Sequence, residues 1–117
     1  MRAERALLAK AYDAFNARDL TALAATFHEA VEWPDILEGG TLSGRPTVIA
    51  YFGRQLELMI PDARIIRTRE EPPDRLLADI QYAVRSLQGR LWSDTAATLA
   101  YDFHDGLIVR MTVIEGL

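Results

Sequence analysis

The sequence predicts an α+β fold in which three N-terminal helices pack inside a strongly curved, mainly antiparallel sheet. Apolar residues recur at helical spacing in the first third of the chain and again around residue 50. From residue 63 onward they alternate with period two, and short turn motifs separate the segments. Helices followed by strands are typical of α+β domains, and a sheet rolled around helices forms a cone whose mouth can hold a small molecule.

Two helices are predicted in the first quarter of the chain. In the first, Ala11 and Phe15 belong to an apolar stripe at helical spacing, with arginine and lysine on the other side. The pattern breaks at residues 16–19. Aspartate favours helix N-caps, so Asp19 is expected to begin a short second helix from Leu20 to Phe27.

One strand and one further helix are expected before the main part of the sheet. Residues 30–33 form a short apolar and aromatic run that predicts a strand, and a glycine-rich loop follows it. Pro46 suits the first turn of a third helix, which Pro61 stops. The remaining strands are expected at Ala63–Arg69, Leu76–Leu87, Leu91–Phe103 and Leu107–Glu115, joined by turns at Pro72-Pro73-Asp74, Gln88-Gly89 and Asp105-Gly106.

Composition and charge restrict the classes of function. A chain of 117 residues is expected to form one domain, residues 1–117, with a single core. Its formal net charge of -4 argues against nucleic acid or an anionic membrane as a partner. There is no cysteine, and no apolar run approaches the ~20 residues that span a bilayer, so a cytoplasmic location is expected. The two histidines, His28 and His104, are far apart in sequence, and neither a metal site nor a cofactor site is predicted.

Asp35 is the first candidate for chemistry. It follows the apolar and aromatic run Val31-Glu32-Trp33-Pro34 and stands at the start of a bend that contains Gly39 and Gly40. Water is scarce beside such a run, and a carboxylate there can act as a general base. The alternative is that Asp35 only caps a turn, as aspartate often does after proline. Both interpretations stay open at this level.

Landmarks spread over nearly the whole chain resemble one superfamily. They are Tyr12-x-x-Phe15-Asn16-Ala17-Arg18-Asp19-Leu20, Phe27-His28-Glu29-Ala30-Val31-Glu32-Trp33, Leu42-Ser43-Gly44-Arg45-Pro46 and Tyr101-Asp102-Phe103-His104-Asp105-Gly106-Leu107-Ile108. In order and spacing they are similar to the nuclear transport factor 2-like (NTF2-like) superfamily, in particular its SnoaL-like, polyketide cyclase-like and ketosteroid isomerase-like branch. The resemblance implies a cone-shaped fold that encloses a pocket for a small apolar molecule, and chemistry without a cofactor.

The resemblance also implies roles for single residues. In the isomerases the catalytic aspartate lies nine positions before the glycine that opens the third helix, and Asp35 lies nine positions before Gly44. The isomerases also place a tyrosine on the first helix and a protonated aspartate on a late strand, where both stabilise the enolate oxygen. These positions fall at Ala11 and Leu99, which cannot donate a hydrogen bond. Tyr101 is then a candidate donor, or alternatively a core aromatic whose hydroxyl lies at the edge of the core.

The strand alternation of the superfamily implies which side chains line the cone. The inward set would be Gln81, Ala83, Arg85, Ala97, Leu99, Tyr101, Met111, Val113 and Glu115, with Phe15, Trp33 and Phe52 completing the wall. Gln81 is then a second candidate to orient a polar group of the ligand, or a satisfied buried amide. The same register turns Ile80, Tyr82 and Val84 outward, and such an apolar outer face predicts a homodimer.

The expected function is a cofactor-independent isomerase, cyclase or lyase in which Asp35 removes a proton from a carbon next to a carbonyl group. Tyr101 or Gln81 would stabilise the oxyanion that forms. Two alternatives stay open. One is a hydrolase similar to the epoxide hydrolases of the superfamily, with Asp94 and Arg85 in its site. The other is a domain that binds small ligands or dimerises without catalysis.

Overall fold

The computed structural model describes residues 1–117 and contains three helices and six strands. The helices are α1 (Arg2–Asn16), α2 (Leu20–Ala24) and α3 (Arg45–Leu58). The strands are β1 (Phe27–Pro34), β2 (Thr41–Ser43), β3 (Ile60–Glu71), β4 (Arg75–Arg85), β5 (Leu91–His104) and β6 (Leu107–Glu115). None of the helices combines the length and the apolar character needed to cross a lipid bilayer.

All six strands belong to one curved sheet, in the order β2-β1-β6-β5-β4-β3. Neighbouring strands run antiparallel except β1 and β6, which run parallel, so the sheet is mixed but mainly antiparallel. The sheet does not close, because β2 and β3 are free edges, and the core lies between its concave side and the helices. The predicted α+β class and the cone-shaped fold are confirmed.

The first third of the chain departs from the prediction at two places. The Asp19 side chain caps α2 as expected, but the helix ends at Ala24, because Phe27 leaves it to pair with Ile108 of β6. The strand β2 was not predicted. Gly39 and Gly40 both adopt positive φ, which lets the chain reverse so that residues 41–43 pair with the end of β1.

The side chain of Asn16 fixes the position of α1 over the sheet. Its Nδ2 donates to the Ala63 carbonyl and its Oδ1 accepts from the Ala63 amide, both at 2.8 Å. The amide thus pairs with β3 as a strand residue would. Because Tyr12 and Phe15 lie on the same helix, this bond sets where they enter the cone.

The register of the β4–β5 hairpin corrects one prediction. Ile80 pairs with Ala97, so Ile80 shares the inner face, while Gln81 pairs with Ala96 on the outer face. A shift of one residue exchanges the two faces of a strand, and the expected inward position of Gln81 is wrong for that reason. The shift arises at the turn of residues 86–90, beside an irregularity at the end of β4.

The same correction affects the residues beside Gln81. Ala83 lies on the outer face, and Arg85 is exposed and donates to the Gly89 carbonyl at 3.1 Å. Ile80 and Tyr82, expected on the outside, line the inside of the cone. The apolar outer face of β4 from which a homodimer was predicted is therefore absent.

Candidate functional site

The cone holds an apolar pocket with a volume, including its mouth, of about 660 Å³. Much of that volume is open solvent, and the space that the centre of a water molecule can occupy is about 90 Å³. Nineteen residues line the pocket, and 18 of them are hydrophobic; Gln55 is the exception. A ligand that fills this space must therefore be mostly apolar.

Six of the twelve side chains predicted to line the cone reach this pocket. Those that do are Phe15, Trp33, Phe52, Leu99, Tyr101 and Met111. Val113 pairs with Leu99 and packs against the core without lining the pocket. Gln81 does not line it either, and its Nε2 donates to Asp94 Oδ1 at 2.6 Å on the exposed side of the sheet. Asp94 and Arg85 are exposed, and they bond to Gln81 and to the Gly89 carbonyl outside the cone, so the hydrolase alternative loses the residues it needs.

Phe52 of α3 is the centre of the aromatic wall. Its ring centroid lies 5.3 Å from that of Trp33 and 5.6 Å from that of Phe15. The rings of Phe27 and Tyr51 are 6.2 and 5.8 Å away. Edge-to-face and tilted arrangements at these distances are favourable for aromatic pairs, so the contacts stabilise the wall beyond the area that the rings bury.

Two tyrosine hydroxyls meet at the pocket. The oxygens of Tyr12 and Tyr101 are 2.6 Å apart, and Tyr101 is only 2% exposed. Burial raises the pKa of Tyr12 to about 12, although the hydrogen bond to Tyr101 opposes this. Burial, and then Tyr12 itself, raise the pKa of Tyr101 still further above its ordinary value. Both hydroxyls stay protonated at neutral pH, and since one donates to the other, the pair keeps one proton for a ligand.

In sequence, the hydroxyl pair is near the two positions at which the resemblance places the donors of the isomerases. Ala11 and Leu99 line the pocket and offer no donor. Tyr12 is one residue further along α1, and Tyr101 is two residues further along β5. The sequence does not single out Tyr12 as a site residue, because helical spacing alone does not separate a core aromatic from one that faces a cavity.

Asp35 lies directly after β1 at the mouth of the cone. It is half-buried, and its neighbours Trp33 and Ile36 line the pocket, whereas Asp35 itself does not. Its Oδ1 accepts from the amides of Leu37 and Glu38 at 3.2 and 3.0 Å. Asp35 therefore caps the turn through Oδ1, and its Oδ2 makes no hydrogen bond.

Tyr51 and Gln55 of α3 were not predicted as site residues. They are four residues apart, so they lie on one face of the helix, and both line the pocket. Tyr51 is 5% exposed and its hydroxyl has no hydrogen-bond partner. The sequence signal that could have identified them is their spacing of four residues beside Phe52, which was predicted to line the cone.

His28, His104 and Asp105 come together at the turn between β5 and β6. The Nε2 atoms of His28 and His104 lie 3.9 and 3.5 Å from Asp105 Oδ2. The Ala30 amide donates to His28 Nδ1 at 3.0 Å, which places the proton of the neutral ring on Nε2. In this arrangement His28 presents an N–H group to the cluster, and a metal ion would require the ring to turn.

A family model of the SnoaL-like domain matches residues 8–111 of the chain. A polyketide cyclase-like protein from Xanthomonas campestris pv. campestris is 20% identical, with 96% of this chain and 89% of that chain covered and a TM-score of 0.83. An NTF2-like protein of unknown function from Burkholderia pseudomallei is 22% identical, with coverage of 97% and 90% and a TM-score of 0.82.

A protein from Mycobacterium tuberculosis, solved in complex with estradiol-17beta-hemisuccinate, is 16% identical, with coverage of 98% and 95% and a TM-score of 0.84. At these identities the solved structures show the fold alone. The sequence matches no curated protein. Because the family model spans most of the chain and the fold agrees with it, the protein belongs to the SnoaL-like domain family.

Proposed function

We propose that this protein is a cofactor-independent enzyme of the isomerase, cyclase or lyase type that acts on a small, mostly apolar carbonyl compound. The Tyr12–Tyr101 hydroxyl pair carries the proposal, since its oxygens lie 2.6 Å apart at a pocket lined almost entirely by apolar side chains. Donors fixed in a dry site stabilise a developing enolate oxygen far better than water does. Polyketide cyclase-like and ketosteroid isomerase-like structures among the neighbours support this type of reaction.

In the proposed reaction the carbonyl oxygen of the substrate accepts a hydrogen bond from the tyrosine pair. Asp35 Oδ2 takes a proton from the adjacent carbon, and the electron pair of that C–H bond moves onto the oxygen as an enolate. In a conjugated enolate, return of the proton to the far carbon gives isomerisation. Attack of the enolate carbon on a second carbonyl group of the substrate, whose oxygen takes up the proton, gives ring closure, and departure of a leaving group with its electron pair from the neighbouring carbon gives elimination. The two backbone hydrogen bonds to Oδ1 hold the carboxylate in one orientation.

The test uses a nitrobenzisoxazole, whose ring opens to a coloured nitrophenolate when a base removes its C–H proton. Asn at position 35 can still accept the two backbone hydrogen bonds through its side-chain oxygen, but it is not a base. Asp35→Asn should therefore lower kcat/KM by about 10²–10⁴-fold while leaving stability nearly unchanged. Asp35→Ala should lose the same activity and also about 1 kcal/mol of unfolding free energy, because the turn loses its cap.

Asp74→Asn is the matched control, since Asp74 is exposed in the turn between β3 and β4 and lies outside the pocket. It should leave turnover unchanged. An Asp35→Asn variant as active as the wild-type protein would remove Asp35 from the role of base. A wild-type protein that does not accelerate ring opening would contradict the proposed enzyme.

A non-catalytic ligand-binding domain is the second candidate function. It is favoured by the position of Asp35, whose Oδ1 serves the turn and whose side chain does not line the pocket. Two structural neighbours were crystallised with small organic molecules, estradiol-17beta-hemisuccinate and polyporic acid. Binding without acceleration of the probe reaction would select this function. Homodimerisation and a cytoplasmic location, both expected from the sequence, stay predictions.

A further inference from the structure

We infer that the pocket binds its ligand at two polar positions, the second being the Tyr51 hydroxyl with the Gln55 side chain beside it. The ligand class that fits is a flat, mostly apolar molecule with a neutral hydrogen-bonding oxygen near each end. This rests on the proposed function only in that the pocket is the ligand site. It requires no proton transfer by Asp35.

The Tyr51 hydroxyl is a buried polar group without a partner. The residue is 5% exposed, and no donor or acceptor lies in hydrogen-bonding geometry with its oxygen. The Ile36 backbone and the Gln55 side chain are the polar groups beside it and lower its pKa, but neither is oriented to complete a hydrogen bond with the hydroxyl. Buried hydroxyls are nearly always hydrogen-bonded, so an orphan that lines a cavity points to a partner supplied by a ligand.

The second position is separate from the tyrosine pair. The ring centroids of Tyr51 and Phe52 are 5.8 Å apart, those of Phe52 and Trp33 are 5.3 Å apart, and those of Trp33 and Tyr101 are 6.3 Å apart. Two aromatic rings thus intervene between the two hydroxyl sites along the wall. To meet both sites, a flat ligand must therefore lie against these rings and carry its two oxygens far enough apart.

The surroundings of Tyr51 select a neutral oxygen as the ligand group. Burial raises the pKa of Tyr51, and the charge of Asp35 adds to this, so the hydroxyl stays protonated and can donate. The same negative charge disfavours a carboxylate or phosphate at this end of the ligand. A carbonyl or hydroxyl oxygen satisfies Tyr51, and the Gln55 amide can supply either a donor or an acceptor.

Calorimetric titration with two naphthalene compounds tests the inference. One is a naphthol with a single hydroxyl, and the other is a naphthalenediol with one hydroxyl on each ring, at opposite ends. The wild-type protein should bind the diol about fivefold to tenfold more tightly than the naphthol, which corresponds to one further hydrogen bond. Tyr51→Phe should abolish this preference and leave the affinity for the naphthol within about twofold.

Tyr12→Phe is the contrasting variant, because it alters the first position and should weaken binding of both compounds. Tyr51→Phe removes only an unpartnered oxygen, so it should unfold at the same or a higher temperature than the wild-type protein. A diol preference that survives in Tyr51→Phe would overturn the inference, and so would equal wild-type affinities, which would show that a displaced water already satisfies Tyr51. Failure of either compound to bind the wild-type protein would also overturn it. A wild-type protein that prefers the diol but does not accelerate ring opening of the nitrobenzisoxazole would reject only the proposed enzyme.

Discussion

The two faces of one sheet treat polar groups in opposite ways. On the concave face, the hydroxyls of Tyr12 and Tyr101 bond to each other, and that of Tyr51 bonds to nothing. On the outer face, Asp79 accepts from Arg67 Nε at 2.6 Å and from Thr98 Oγ1 at 2.8 Å. Arg69 adds two more hydrogen bonds to the same carboxylate.

The difference separates polar groups that are available from polar groups that are already satisfied. The outer network is complete in itself, so it holds neighbouring strands together and leaves little for a ligand to bind. The inner hydroxyls keep unused hydrogen-bonding capacity in a dry cavity, where each new bond is worth more than in water. Function is therefore expected on the concave face and structural support on the outer face.

The largest expected effect on stability comes from removing an aromatic ring that faces the inside of the cone. An exposed ring on the other side of the sheet serves as the comparison. Phe52→Ala should lower the free energy of unfolding by about 3–5 kcal/mol, because the Phe52 ring touches four other aromatic rings of the core. Trp92 is 58% exposed near the start of β5, and Trp92→Ala should change stability by about 0.5 kcal/mol or less. Urea denaturation followed by circular dichroism measures both. Similar losses in the two variants would contradict the division.

The sequence predicted those parts of the fold that local patterns determine. The Asp105-Gly106 turn takes positive φ at both residues, 53° and 75°, as its residue types indicate. The pairing of residues 41–43 was missed because three residues hold no periodic pattern, and their strand forms only against β1. The face of Gln81 was missed because the register depends on an irregularity at the hairpin turn, which alternation alone does not reveal.

The candidate site was predicted less completely, because it depends on contacts between distant segments. Tyr12 and Tyr101 are 89 residues apart, and their hydroxyls meet because α1 packs on the sheet, where Asn16 bonds to Ala63 of β3. Nothing in the local pattern around Tyr12 encodes that docking. The unpartnered hydroxyl of Tyr51 is likewise a property of the packed structure, since a partner can be judged absent only when all neighbours are placed.

Alkaline pH should act on the inner hydroxyls. Burial raises the pKa of Tyr12 to about 12 and that of Tyr101 well above its ordinary value, whereas an unfolded tyrosine titrates near 10, so the folded protein retains protons that the unfolded chain releases. The resulting stability is fully present below about pH 10, and the free energy of unfolding should fall as pH rises from there toward 12.

Urea denaturation at a series of alkaline pH values measures this slope. It should be shallower in a variant that carries both Tyr12→Phe and Tyr101→Phe, and unchanged in Asp79→Asn. An unaltered slope in the double variant would show that the pair does not retain its protons on folding.

The smallest effect is expected on the outer face. Arg67, Arg69 and Thr98 hold the pKa of Asp79 well below its usual range, so its contribution to stability is present above about pH 4 and is lost as pH falls further. Asp79→Asn should therefore lower the thermal midpoint slightly at neutral pH, and the difference from the wild-type protein should shrink in strong acid. Arg67 and Arg69 are exposed, so molar salt should shrink it as well. Ligand affinity should not change, because Asp79 does not line the pocket. A fall in affinity for the naphthalenediol in Asp79→Asn would show that the outer network shapes the pocket, and the two faces could then no longer be treated as independent.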